Sequence, residues 1–257
     1  MGKKTVRGSS PFSPNKLAVT IKSWLDYYMA VNQEYVLSES TIKYPICNYL
    51  SQFYGSVALE KQIVFFSDDR CYDFYFKIGR ENYFVELKYA QKDYTYESSE
   101  VQRVFDDLMR LNAMSEYKHS NCIFIMCGAK KDFKNEFKDG RPSAQKQNLV
   151  NGMPISPKSK KKGRPRKYGN NNPYRLMFQF KRGKTRIINT RNAYVKKMVQ
   201  EFENTYVLSD DGIRKFKDIS SCVSNLEKIK TTLMDIIYDN NETTGRSAIG
   251  LWKVERA

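Results

Sequence analysis

At 257 residues, 40% of them apolar and with 18 Tyr and 15 Phe, the chain can bury a full core and is excluded from the disordered polymers. The net charge of +16 is localised: 17 of the 44 Lys and Arg, and none of the 28 Asp and Glu, lie between Arg141 and Gln200. Elsewhere 27 basic residues face 28 acidic ones. A near-neutral body with one cationic segment points to nucleic acid as the partner and not to a membrane, because no apolar run nears the roughly 20 residues of a membrane helix.

The basic N-terminus is followed by no apolar stretch, so it is no secretory signal. Cys47, Cys71, Cys122, Cys127 and Cys222 form no C-x-x-C pair and no cluster with His119, the single histidine. Zinc sites and histidine-based nuclease chemistry are thereby excluded, and reduced thiols in a cytoplasmic protein (nuclear in a eukaryote) are expected. No P-loop, dinucleotide fingerprint or G-x-S-x-G is present.

Residues 1–16 are Pro/Ser/Gly-rich and read as an arm. Apolar residues from Leu17 to Val31 fall at helical spacing. Ser38 caps a second helix from Glu39 to Tyr54, which Pro45 would kink or delay. Three strands follow, Val57–Phe66, Cys71–Ile78 and Tyr83–Tyr89, with turn residues between them that imply an antiparallel meander. A helix runs from Ser98 or Ser99 to about Glu116. The continuous apolar run Cys122–Cys127 suits a central strand buried on both faces. Residues 17–138, ending in a charged helix from Lys130 to Lys138, form the core of an α/β fold. Residues 139–173 read as a basic linker and 174–257 as an α+β region. In that region Tyr174–Phe180 is expected to pair with Arg186–Ile188, Ala193–Phe202 and Ser221–Asp235 to be helices, and Ile236–Tyr238 to pair with Ala248–Val254.

The chemistry sits in the meander. Residues two apart in a strand share a face, so Glu86 and Lys88 lie together while Val85 and Leu87 enter the opposite side. Pairing through the turn near residues 79–82 brings Asp73 of the preceding strand close to Glu86. Two carboxylates on one face repel, and a hard divalent cation removes that repulsion.

Asp73, twelve residues, then Glu86-Leu87-Lys88, within the order helix, three strands, helix, strand, resembles the PD-(D/E)XK nuclease superfamily. Tyr72 stands where that name has proline. The resemblance covers about residues 38–128 and implies a restriction-endonuclease-like core. It implies that Asp73 and Glu86 hold Mg²⁺, with Mn²⁺ able to substitute, and that Lys88 orients the attacking water. It matches Glu39 on the first helix to a further acidic ligand, although an acid there also suits the helix dipole. It matches Gln102 to a polar residue contributed by the following helix. A DNA endonuclease with a restriction or defence role is implied, and a homodimer would account for double-strand cleavage. The alternative is a DNA-binding protein that keeps the nuclease-like fold without cutting.

Within the linker, Lys160-Lys161-Lys162-Gly-Arg164-Pro165-Arg166-Lys167 resembles an AT-hook, whose Arg-Pro-Arg lies in the narrow minor groove of A·T-rich DNA. A solvated linker and a nuclear-import signal share that composition. Arg175, Lys181, Arg182, Lys184 and Arg186 would extend the basic surface onto folded structure, or else guard an edge strand.

Overall fold

The computed structural model describes residues 11–67, 71–90, 98–115, 117, 119–130, 174–189, 191–224, 229–238 and 246–256. Helix α1 spans Pro14–Ala30, with Ser13 as N-cap and Pro14 in the first turn, and buries Leu17, Ile21, Leu25 and Met29. Helix α2 spans Glu39–Tyr54 and starts with a reciprocal cap. Ser38 Oγ accepts from Thr41 N–H at 3.2 Å, and Thr41 Oγ1 accepts from Ser38 N–H at 2.8 Å. That cap fixes Glu39 in the first turn. Pro45 is accommodated inside the continuous helix.

Strands β1 (Val57–Gln62), β2 (Cys71–Ile78) and β3 (Glu81–Ala90) form the expected antiparallel meander, with Gly79 at φ 61° in the tight turn before β3. β1 stops at Gln62, short of Phe66. Helix α3 (Ser98–Ser115) crosses to β4 (Ser120–Ala129), which is parallel to β3 and buried from Cys122 to Ala129. The order helix, three strands, helix, strand is therefore present in an α/β fold. The AT-hook-like residues Lys160 to Lys167, and residues 131–138 of the expected charged helix, lie outside the described residues.

The C-terminal region joins the same sheet. Short helices α4 (Tyr174–Met177), α6 (Asp210–Phe216) and α7 (Ile219–Ser224) and the longer α5 (Ala193–Thr205) accompany strands β5 (Thr185–Ile187), β6 (Ile229–Tyr238) and β7 (Ser247–Arg256). The strand order is β1-β2-β3-β4-β7-β6-β5, and β7 is antiparallel to β4. Two expectations are corrected here. Tyr174–Met177 is helical and β5 pairs with β6 instead. Residues 229–235, expected at the end of a helix, are strand: Ile229, Thr231, Leu233 and Asp235 alternate inward, and β7 supplies the partner. The expected pairing of Ile236–Tyr238 with the last strand is present.

The sheet divides the core into two layers. Against one face, α1 and α2 pack on Phe74, Val85, Leu87, Ile123, Ile125 and Leu251. Against the other, α3 and the C-terminal helices pack on Phe84, Phe124 and Trp252. The five cysteines are free thiols, and no described helix is long and apolar enough to cross a membrane.

Candidate active site

Alternation in β3 works as expected. Val85 and Leu87 enter the α1/α2 layer while Phe84 enters the α3 layer, so Glu86 and Lys88 rise on the α3 side. The β2–β3 ladder runs from Ile78↔Glu81 to Phe74↔Val85. One step further a side chain replaces the backbone partner: Asp73 Oδ2 accepts from Leu87 N–H at 2.6 Å. On its other side Glu60, the residue facing Asp73, drops out of the β1–β2 ladder and takes φ 52°. A left-handed glutamate in mid-strand is strained, and the strain coincides with the point where the strands open.

Into that opening converge α2 and α3. A cavity of about 290 Å³ is lined by Glu39, Cys71, Asp73, Glu86, Lys88, Arg103, Asp106, Asp107 and Arg110. Four of the five catalytic candidates, Asp73, Glu86, Lys88 and Glu39, are thus brought together. Gln102 is not among the lining residues. Its amide instead donates to Asp106 Oδ1 at 2.8 Å and to the Met198 carbonyl at 3.0 Å, tying α3 to α5.

Four of the acids lining the cavity, Glu39, Asp73, Glu86 and Asp107, are paired with a cation. Lys43, one turn after Glu39, places Nζ 2.7 Å from Asp73 Oδ1 and 3.3 Å from Glu60 Oε1. Lys88 Nζ lies 3.4 Å from Glu39 Oε2 and 3.3 Å from Glu100 Oε1. Arg110 donates to Glu86 Oε1 from Nη2 at 3.1 Å and from Nε at 3.4 Å, pairs with Asp107, and donates from Nη1 to Tyr206 Oη at 2.9 Å. Tyr206 Oη lies 3.4 Å from Asp106 Oδ2.

Burial pushes Glu86 well above the usual carboxylate range, and the charges of Asp107 and Asp73 add to this while Arg110 opposes it. Asp107 is raised chiefly by burial, against the pull of Arg110 and Lys88. Glu39 is raised by burial, with Lys88 opposing. Burial works to deprotonate Lys88, but Asp107, Glu39 and Glu100 outweigh it and hold its proton more tightly than usual.

Arg110, Asp107 and Lys43 escape a reading of the sequence. Polar residues three or four apart on a helix ordinarily face water, and Glu100, Arg103, Asp107 and Arg110 have that spacing. In this fold α3 is buried from Val104 to Met114, so the stripe faces the cleft. The available signal was the stretch Val104–Met114, where only Asp106, Asp107, Arg110 and Asn112 interrupt apolar residues that otherwise run right round the helix. Arg182 pairs with Asp235 and Lys184 is exposed beside β5, four strands or roughly 19 Å across the sheet from β3.

Comparison with protein-family models, curated proteins and solved structures gives no match for the chain.

The donor set has the character that a hard divalent cation requires. Beside the Cys71 thiol it is rich in carboxylates, and burial, with mutual repulsion adding to it, raises Glu39, Glu86 and Asp107. Among the described residues, however, no three acids, thiols or imidazoles stand together as a preformed ligand group. Glu39, expected to share a metal with Asp73 and Glu86, is paired with Lys88. Two carboxylates remain, which suffices for Mg²⁺ because that ion keeps several waters and takes substrate phosphate oxygens.

Proposed function

We propose that the protein is a divalent-metal-dependent endonuclease acting on DNA, with a restriction-endonuclease-like core and a role in restriction or defence. The supporting observation is the meeting of Asp73, Glu86 and Lys88, from adjacent strands, in one cleft where β2 and β3 part. Asp73 and Glu86 would hold Mg²⁺ or Mn²⁺, which when bound supplies Lewis-acid charge at the scissile phosphate and acidifies a water.

The chain's own groups do the rest. Asp73 is pinned by the Leu87 amide through Oδ2, and its second oxygen, Oδ1, is held by Lys43, which a metal would have to displace. Arg110 fixes Glu86 through Oε1 and favours its ionised form. Lys88 stays charged between Glu39 and Glu100. It therefore orients a water and offsets negative charge at phosphate, and does not serve as general base. Glu39 sets the position of Lys88. The cationic segment from Arg141 to Gln200, including the AT-hook-like Arg164-Pro165-Arg166, would hold the duplex.

Supercoiled plasmid tests this, because a closed circle has no ends. Nicked and linear products are expected with Mg²⁺ or Mn²⁺, none with EDTA, and none from a folded Glu86→Ala variant. Plasmid left intact by the wild type in both metals overturns the proposal. A second reading is favoured by one observation, the pairing of Asp73, Glu39 and Glu86 with Lys43, Lys88 and Arg110 respectively. In that reading the cluster is a buried salt-bridge network inside a DNA-binding protein that does not cut. Retarded but uncut A·T-rich DNA would establish it.

A further inference from the structure

Sites that split phosphodiesters with two metal ions set them about 3.5–4 Å apart. Dications that close repel, so carboxylates must stand between and around them. In this cleft the carboxylates that could seat a second ion beside Glu86 already share a cation. Arg110 Nη2 lies 3.1 Å from Glu86 Oε1 and also pairs with Asp107 Oδ1, so one nitrogen stands between oxygens from β3 and α3. Nε adds a second bond to Glu86 Oε1 at 3.4 Å, and Nη1 donates to Tyr206 Oη at 2.9 Å. All three guanidinium nitrogens are thus engaged in a residue that is 6% exposed. The backbone is held as well, because the buried Tyr72 hydroxyl donates to the Arg110 carbonyl at 3.1 Å.

The other cation on this pair of acids is held differently. Lys43 is a single ammonium on a flexible stem, shared between Asp73 Oδ1 and Glu60, whose side chain is 69% exposed. Displaced from Asp73, it keeps Glu60 and gains water. Displaced from its acids, Arg110 would be a stranded buried charge that cannot shed its proton. Both of its bonds to Glu86 end on Oε1, and among the described residues no hydrogen bond reaches Oε2.

We infer that Arg110 is the permanent cation of the cleft, standing where a second divalent ion would bridge Glu86 and Asp107, and that the site therefore takes one ion. That ion would use Asp73 Oδ1, once Lys43 gives way, and Glu86 Oε2. The count rests on the proposed metal-dependent function and says how many ions it uses. Arg110 is a positioning residue, since it holds Glu86 and supplies charge without reaching the phosphate.

The test is Mn²⁺ binding to the full chain, counted by equilibrium dialysis relative to Glu86→Ala and followed by electron paramagnetic resonance. The wild type should bind one ion per chain, with the spectrum of an isolated Mn²⁺. Arg110→Met should gain a second ion and show the broadened lines of a spin-coupled pair. Arg110→Met/Asp107→Asn should return to one ion, and Arg110→Lys, which keeps the charge, should stay at one. A folded Arg110→Met that still binds one ion overturns the inference, because an arginine that merely braces the fold predicts that result. Should the methionine variant fail to fold, Arg110→Gln removes the charge but keeps a donor, and the same gain is required of it. Two ions in the wild type overturn the inference alone and leave the metal-dependent function standing. No ion in the wild type refutes both.

Discussion

Replacing Arg110 with methionine removes the guanidinium that bridges Glu86, Asp107 and Tyr206 while roughly keeping its aliphatic bulk. Glu86 is 3% exposed and Asp107 8%, so neither carboxylate can recover its hydration. Leaving one partner of a buried pair uncompensated costs about 3–5 kcal/mol. With an m-value of about 3 kcal/mol per molar in urea, the unfolding midpoint should fall by about 1–1.7 M.

The loss should depend on pH. Arg110 lowers the proton affinity of both Glu86 and Asp107, which burial has already raised. Without it their folded pKa values rise further above the unfolded values of about 4. Across that window the folded state binds more protons than the unfolded state, so stability falls as pH rises. The penalty should therefore be largest at pH 8 and shrink towards pH 5. Added Mg²⁺ should restore about 2.7 kcal/mol at a hundredfold excess over its dissociation constant if the cleft takes a cation. Urea titrations followed by far-ultraviolet dichroism, with and without Mg²⁺, give both readings. A cost below about 1 kcal/mol at pH 8, or an equal cost at both pH values, would refute the electrostatic account of the cleft.

Lys43→Met frees Asp73 Oδ1 from an ammonium 2.7 Å away, so half-saturation by Mg²⁺ in a cleavage or calorimetric titration should shift to lower concentration. An unchanged or weaker affinity would show that Lys43 does not compete for that oxygen. Tyr206→Phe removes the hydroxyl between Arg110 and Asp106 and should cost about 1–2 kcal/mol in urea unfolding. It should lower the cleavage rate and leave duplex affinity in EDTA untouched. Gly128→Ala would set a Cβ 2.7 Å from the Ala90 carbonyl oxygen, where backbone meets backbone, and should destabilise by about 1–3 kcal/mol, read as a lower melting temperature.

The sequence carried the front of the site because the information there is local. Ser38 caps α2 and sets Glu39, Gly79 closes the hairpin, and period-two alternation puts Glu86 and Lys88 on one face while sending Val85 and Leu87 to the other. Such signals depend on neighbours a few residues apart. The rest needed partners distant in sequence. Cys222, Leu226, Ile229 and Leu233 keep a helical spacing, yet Ile229, Leu233 and the residues between them also alternate. Pairing with β7 decides in favour of strand. The charged stripe of α3 would face water on an isolated helix. It faces the cleft because the sheet covers one side of that helix and the C-terminal helices, reached through Tyr206, cover another. By itself the sequence determined the strand chemistry around Asp73, Glu86 and Lys88. Tertiary structure alone decided which cations neutralise those acids, since a counter-ion is assigned by proximity in space and by burial, and neither is a property of local spacing.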